Sequence, residues 1–231
     1  AVLGLSLYGS LFLLPLFLQQ ILHYSSYDAG IALMPRFIAM MPAMLIGGYY
    51  YNRVGARRMV MAGLIMVTIS IYQFSLLSLD IGYWDIFIPQ FLQGVGFGCI
   101  FVSISTAALS TLPKPLMMAA AGLYTVVRQV FSSIGIALFA TMYTRGESLF
   151  RALLMERVTV FQDTTYEPVR LFSALFYTQG VDMTVATQGA LKLVELAVMK
   201  QASMLAFNQV FFLIAVVCVL SLPLVFLIRK G

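Results

Sequence analysis

The sequence predicts an all-α membrane protein with six transmembrane helices and one long outer loop before the last of them. Of its 231 residues, 61% are hydrophobic and 10% are charged, and the mean hydropathy is +0.94. A soluble domain has roughly 45–50% apolar and about 25% charged residues. Several segments also reach the ~20 apolar residues that cross ~30 Å of hydrocarbon. A surface this apolar requires lipid as its solvent.

The six predicted spans cover residues 1–22, 29–51, 59–78, 84–108, 118–143 and 204–228. They divide the chain into five transmembrane helices (1–143), an extracytoplasmic loop with amphipathic helices (144–203), and the last helix with a cytoplasmic tail (204–231). In the loop, Glu147 and Arg151 have the i,i+4 spacing of a helical ion pair. Residues 186–201 carry a polar stripe, which suits either a helix on the membrane surface or a cap packed on itself.

The lysines and arginines of the short connections fall on one side of the predicted membrane. They are Arg53, Arg57, Arg58, Lys114, Arg229 and Lys230. The connections after spans one and three contain no Lys or Arg. Because short cytoplasmic loops collect these residues, we expect a multi-pass protein of the inner or plasma membrane with both ends in the cytoplasm. Since the chain begins with an apolar run and no Met, we also expect a fragment of a longer protein.

Two arginines lie within predicted spans, where an ionisable side chain is costly and by default marks a functional site. Arg128 lies ten residues into span five, or about 15 Å at 1.5 Å per residue, with Tyr124 and Ser132 on the same face. Arg36 lies nearer the outer end of span two, from which its side chain could extend toward the interface. Asn208 is a further polar residue, in span six. Each arginine serves either a cavity or switch between helices, or permanent hydrogen bonds to neighbouring helices.

Spans one and four each carry aromatic and amide side chains at helical spacing. The stripes comprise Tyr8, Phe12, Pro15 and Gln19 in span one, and Gln90, Gln93, Phe97, Phe101 and Ser105 in span four. Such faces suit a cavity for bulky, partly apolar ligands, in which a few polar groups set the orientation. Ordinary packing between membrane helices is the alternative.

Other patterns give no support for catalysis, metal binding or nucleotide binding. The segment GVGFG (94–98) lies inside an apolar helical run, so it predicts close helix packing through Gly94 and Gly98 rather than a dinucleotide loop. His23 has no second ligand placed to form a metal site, and no nucleophile–base–acid set or carboxylate pair occurs within a span. We therefore expect no enzyme activity, no metal or other cofactor, and no nucleic-acid partner.

The segment GYYYNRVGARR (48–58) resembles the cytoplasmic loop signature of the major facilitator superfamily, G-x-x-x-D-R-x-G-R-R. The matching residues are Gly48, Arg53, Gly55, Arg57 and Arg58, and Asn52 replaces the usual acid. Residues 27–36, 101–138 and 201–227 are similar to the C-terminal half of EmrB/QacA-type multidrug transporters. These transporters form the fourteen-helix, drug:proton antiporter branch of the superfamily.

The resemblance implies one six-helix half-bundle that works with a missing N-terminal half of the same transporter. Spans one and four would line a central cavity, and spans two and five would face the partner bundle. GYYYNRVGARR would act as a gate loop that holds the outward-open state. Asn52 could still cap a helix N-terminus, but it lacks a charge–dipole interaction of ~0.3–1 kcal/mol, which predicts a weak lock.

The function implied by the resemblance is export of hydrophobic or cationic drugs in exchange for protons by alternating access. Because no carboxylate reaches the midplane of the predicted spans, the proton-carrying residue is expected in the missing half. A periplasmic adaptor is a further candidate partner. The alternatives are a transporter of another solute, such as a siderophore or metabolite, and a non-transporting membrane subunit.

Overall fold

The computed structural model describes residues 2–79, 82–109, 113, 116–157, 183–223 and 225. Six long helices make up these ranges: α1 Val2–Gln20, α2 Ser26–Val54, α3 Ala56–Ser75, α4 Tyr83–Leu109, α5 Met117–Arg157 and α6 Met183–Ser221. Helices α2 to α6 each contain a stretch long and apolar enough to cross a membrane, and α1 has 19 residues. The predicted all-α membrane fold is confirmed.

Local sequence fixes several helix ends. The Oγ of Ser25 accepts a hydrogen bond from the Asp28 N–H at 3.1 Å and donates one to Asp28 Oδ2 at 2.6 Å. This reciprocal pair satisfies a free N–H of α2 and places a carboxylate at the positive end of the helix dipole. Asp85 lies in the first turn of α4, and its Oδ2 accepts a hydrogen bond from the preceding Gly82 N–H at 2.8 Å. His23, just after α1, has a positive φ of 56°, which helps the chain leave the helix.

The chain divides into two compact units, residues 1–141 with 207–231 and residues 142–206. In the first unit, α4 packs on α2 with one face and on α3 with another. A Cβ added at Gly94 would lie 2.2 Å from the Arg36 carbonyl oxygen, and one at Gly98 would lie 2.8 Å from a carbon of α2. At Gly96 the added atom would lie 2.7 Å from a backbone oxygen of α3. The predicted close packing through Gly94 and Gly98 is confirmed.

Four phenylalanines join α1, α3 and α6 within the first unit. The ring centroids of Phe17 and Phe207 are 4.1 Å apart, those of Phe207 and Phe211 are 4.3 Å apart, and those of Phe211 and Phe74 are 5.4 Å apart. Each ring is buried, and each such pair contributes about 0.5–1.5 kcal/mol beyond its buried area. Because lipid provides little hydrophobic drive for helix association, close packing of this kind helps to hold the three helices together.

The second unit is built from the end of α5 and the beginning of α6. Arg151 Nη2 donates to Glu195 Oε1 at 2.7 Å, and Ser203 Oγ donates to Glu147 Oε1. The predicted i,i+4 pair of Glu147 with Arg151 is therefore wrong, because both side chains bond across to α6. Both alternatives for residues 186–201, a helix on the membrane surface and a cap packed on itself, stay predictions. Residues 158–182 of the predicted outer loop lie outside the described residues.

A single residue, Gly55, separates α2 from α3. Its φ of 82° and ψ of 148° belong to a region that essentially only glycine enters, and its N–H donates to the Tyr51 carbonyl at 2.9 Å. The predicted loop is thus two helix ends with one junction residue. Asn52 lies in the last turn of α2, and the N-cap position of α3 is Gly55. A capping role for the Asn52 side chain stays a prediction.

Candidate functional site

A cavity of about 220 Å³ lies among four helices of the first unit, α1, α2, α4 and α5. Its lining residues are Tyr8, Leu11, Arg36, Phe37, Met40, Phe97, Phe101 and Arg128. The structure thus brings three aromatic residues of the two predicted stripes together with both predicted intramembrane arginines. The walls are aromatic and aliphatic apart from the two guanidinium groups and the Tyr8 hydroxyl.

Helical periodicity explains how these side chains converge. Phe97 and Phe101 are one turn apart on α4, and Arg36 and Met40 are one turn apart on α2, so each pair points to one side of its helix. The close approach of α2 and α4 at Gly94 brings the two pairs to the same space. Leu11, Phe37 and Met40 were absent from the predicted site; the i+4 spacing from Arg36 is the signal that would have identified Met40.

Arg36 is almost completely buried, with 2% of its surface exposed. It lies ten residues into α2, or about 15 Å along the axis, and its Nε donates to Gln90 Oε1 at 2.6 Å. Neither terminal nitrogen, Nη1 or Nη2, has a hydrogen-bond partner among the described residues. The expectation that Arg36 extends toward the interface is wrong, because a buried glutamine of α4 holds it inside the protein.

Arg128 occupies the α5 side of the cavity and is half-buried. Its Cζ lies 5.2 Å from the centroid of the Phe101 ring, a cation–π contact worth about 0.5–1 kcal/mol at exposed sites and about 2 when desolvated. The buried Ser132 Oγ donates to the Arg128 carbonyl at 2.7 Å, so that hydroxyl bonds within its own helix. Tyr124 is half-buried one turn earlier.

The two glutamines of the predicted α4 stripe lie behind the cavity. Gln90 and Gln93 are 0% exposed. Gln90 holds Arg36, and Gln93 Nε2 donates to Ser10 Oγ of α1 at 3.2 Å. These bonds correspond to the packing alternative, in which amides connect membrane helices. For Gln90 the packing bond also sets the orientation of a cavity residue.

Three other predicted residues lie elsewhere. Phe12 and Gln19 are exposed and are not among the residues that line the cavity. Asn208 Nδ2 donates to the Leu77 carbonyl at 3.0 Å, which connects α6 to the chain just after α3. Such a bond between membrane helices is worth roughly 0.6–2 kcal/mol, and it gives Asn208 a structural role.

The predicted gate residues surround the α2–α3 junction. Gly48 faces open space, and the Cζ of Arg53 lies 5.7 Å from the ring centroid of Tyr49. Arg53 lies in the last turn of α2, where a cation interacts favourably with the helix dipole. Arg57 and Arg58 occupy the first turn of α3, where the same dipole disfavours positive charge. A role for these residues in gating stays a prediction.

Residues 1–136 match the sequence model of the Major Facilitator Superfamily. The chain is 25% identical over 234 residues to the uncharacterized MFS-type transporter YhcA of Bacillus subtilis, covering 99% of the chain and 43% of that protein. It is 26% identical over 230 residues to the fatty acid resistance protein FarB of Neisseria gonorrhoeae, covering 98% of the chain and 43% of FarB.

The multidrug export protein EmrB of Escherichia coli strain K12 is a further relative, 30% identical over 225 residues, which cover 94% of the chain and 41% of EmrB. The chain therefore spans about two fifths of the length of these relatives. The resemblance to EmrB-type proteins drawn from the sequence is confirmed.

Proposed function

The chain belongs to the Major Facilitator Superfamily, and we propose that it forms part of a secondary transporter that exports apolar small molecules in exchange for protons. The observation that carries this proposal is the cavity of about 220 Å³, which has mainly apolar walls and a few polar groups at defined positions. That composition is typical of small-molecule sites. The family also supports the expectation that the chain is not an enzyme.

The exposure of α2 and α5 supports alternating access. Both helices line the cavity, yet each also presents large apolar side chains outward, including Met41 and Leu45 on α2 and Leu123 and Val130 on α5. In the proposed transporter, these outward faces meet lipid or the second helical bundle, and rocking of one bundle against the other exposes the cavity to either side in turn.

Export rather than uptake is proposed from two relatives, whose names describe multidrug export and fatty acid resistance. Since none of the eight described residues that line the cavity is acidic, we assign proton transfer to a carboxylate elsewhere in the full-length protein. The distribution of Lys and Arg supports cytoplasmic chain ends and a cytoplasmic α2–α3 junction.

A gradient-driven efflux assay tests the proposed function. The full-length protein is reconstituted into liposomes loaded with the neutral dye Nile red, and a pH gradient is imposed across the membrane. We expect dye to leave faster than from protein-free liposomes, and nigericin, which dissipates the pH gradient, to abolish the difference. Efflux that is the same with and without the gradient would contradict proton-coupled export.

A further inference from the structure

We propose that Arg36 binds the carboxylate of a compact apolar acid, so that the preferred ligand of the cavity is an organic anion. The inference rests on the proposed function, because it names the substrate class of the same cavity. The sequence had suggested hydrophobic or cationic drugs as ligands, whereas this proposal predicts a negatively charged ligand.

The geometry of Arg36 suits a carboxylate ligand. Its Nε bond to Gln90 Oε1, at 2.6 Å, fixes the plane of a guanidinium that is 2% exposed and lines the cavity. Nη1 and Nη2 have no partner among the described residues. Two parallel N–H groups of one guanidinium match the two oxygens of a carboxylate. Because Gln90 already holds the side chain, little rotamer entropy is lost when a ligand binds.

The positive charge of the cavity also favours an anionic ligand. Both charged residues that line it, Arg36 and Arg128, are cationic, and the other six lining residues are uncharged. A buried guanidinium without a counter-charge is costly, because it has lost its hydration and no ion pair compensates for that loss. A carboxylate ligand removes this cost, whereas a cationic ligand adds repulsion in a low-dielectric space.

The lining and the volume of the cavity determine which apolar group the ligand can carry. The rings of Phe37, Phe97 and Phe101, with Met40, line the space next to the guanidinium groups. The volume of about 220 Å³ is below the ~300–1,000 Å³ of typical drug-sized pockets. A fused ring system with one carboxylate therefore fits this cavity better than a large drug.

Three naphthalene probes that carry one substituent of different charge at the same ring position test the proposal: 2-naphthoate, 2-naphthylmethanol and 2-naphthylmethylammonium. Their affinities for the full-length protein in lipid nanodiscs are measured by calorimetry at pH 7. We expect 2-naphthoate to bind about tenfold more tightly than the alcohol, equivalent to about 1.4 kcal/mol, and the ammonium compound to bind most weakly. Comparable affinity of the three probes, or no binding of 2-naphthoate, would overturn the proposal.

Three substitutions test whether Arg36 is the group that distinguishes the charge of the probe. Arg36→Gln should abolish the preference for 2-naphthoate. Arg36→Lys should retain only part of the preference, because a lysine ammonium lacks the two parallel N–H groups of a planar guanidinium. Arg151→Gln removes one positive charge from the exposed ion pair of the second unit and should leave the preference intact. If Arg36→Gln does not fold, Gln90→Leu serves as the second variant and should weaken 2-naphthoate binding. An unchanged preference in the Arg36 or Gln90 variant overturns the proposal.

The two proposals fail separately. Calorimetry uses no proton gradient, so anion preference without gradient-driven efflux contradicts only the proposed function. Efflux of Nile red without anion preference contradicts only the assignment of Arg36.

Discussion

Helices α4 and α5 both line the cavity, but they differ in how the rest of the protein surrounds them. In the most apolar 18-residue stretch of each helix, 56% of α4 is buried and 17% of α5. Glycines on α4 face both α2 and α3, whereas α5 exposes large apolar residues such as Leu123 and Ile134. Polar side chains at the α2–α4 contact are therefore more fully enclosed by this chain than those on α5.

The two arginines illustrate this difference. Arg36 is fixed by Gln90 in the packed region between α2 and α4, and Arg128 rests on the Phe101 ring from the more exposed helix. The following substitutions test how strongly the packing around α4 contributes to the stability of the protein.

The largest effect is expected from Gly94→Val. The new Cβ would lie 2.2 Å from the Arg36 carbonyl oxygen, so α2 and α4 must separate, at a cost near the ~3 kcal/mol upper end of usual overpacking penalties. Gly30→Val on α2 is the matched control, since nothing lies within 4 Å of its added Cβ. The measurement is thermal stability of the full-length protein in detergent. Equal melting temperatures for the two variants would contradict the tight α2–α4 contact.

An intermediate effect is expected from Gln90→Leu. This change removes the acceptor of the buried Arg36 Nε, and hydrogen bonds to charged groups contribute about 1.5–3 kcal/mol. The control is Gln93→Leu, which removes a neutral bond to Ser10 and should cost about 0.5–1.5 kcal/mol. Melting temperatures should fall further for Gln90→Leu. A larger loss for Gln93→Leu would show that Arg36 does not depend on Gln90.

The smallest effect is expected for the contact between α4 and α5, tested by Phe101→Leu on α4. Loss of the ring removes the cation–π contact with Arg128, which should contribute about 0.5–1 kcal/mol. A double-mutant cycle with Arg128→Met isolates this coupling from the change in side-chain volume. Strict additivity of the two stability changes would show that the ring and the guanidinium do not interact.

Hydropathy and helical spacing were sufficient to predict the membrane helices, because a chain in lipid must satisfy its backbone hydrogen bonds internally. The spacing also placed Phe97 and Phe101 on the cavity side of α4. It could not separate them from Gln90 and Gln93, which lie on neighbouring positions of the same helix. Whether an amide faces a ligand or another helix depends on a partner distant in sequence, such as Arg36 for Gln90.

Two features were beyond local sequence reasoning for a different reason. The i,i+4 spacing of Glu147 and Arg151 indicated a helix, but it could not show that this helix is a continuation of α5 that reaches Arg157. The segment 48–58 is charged and rich in glycine, which is typical of loops. In the structure, however, the helices reach Val54 and resume at Ala56.

The one-residue connection at Gly55 leaves no spare length of backbone between α2 and α3. One residue spans at most about 3.6 Å, so the last turn of α2 and the first turn of α3 cannot move apart by more than a small fraction of a helical turn. A tilt or shift at the end of α2 must therefore be transmitted directly to Arg57 and Arg58. The junction can change the angle between the two helices, but it cannot absorb a displacement.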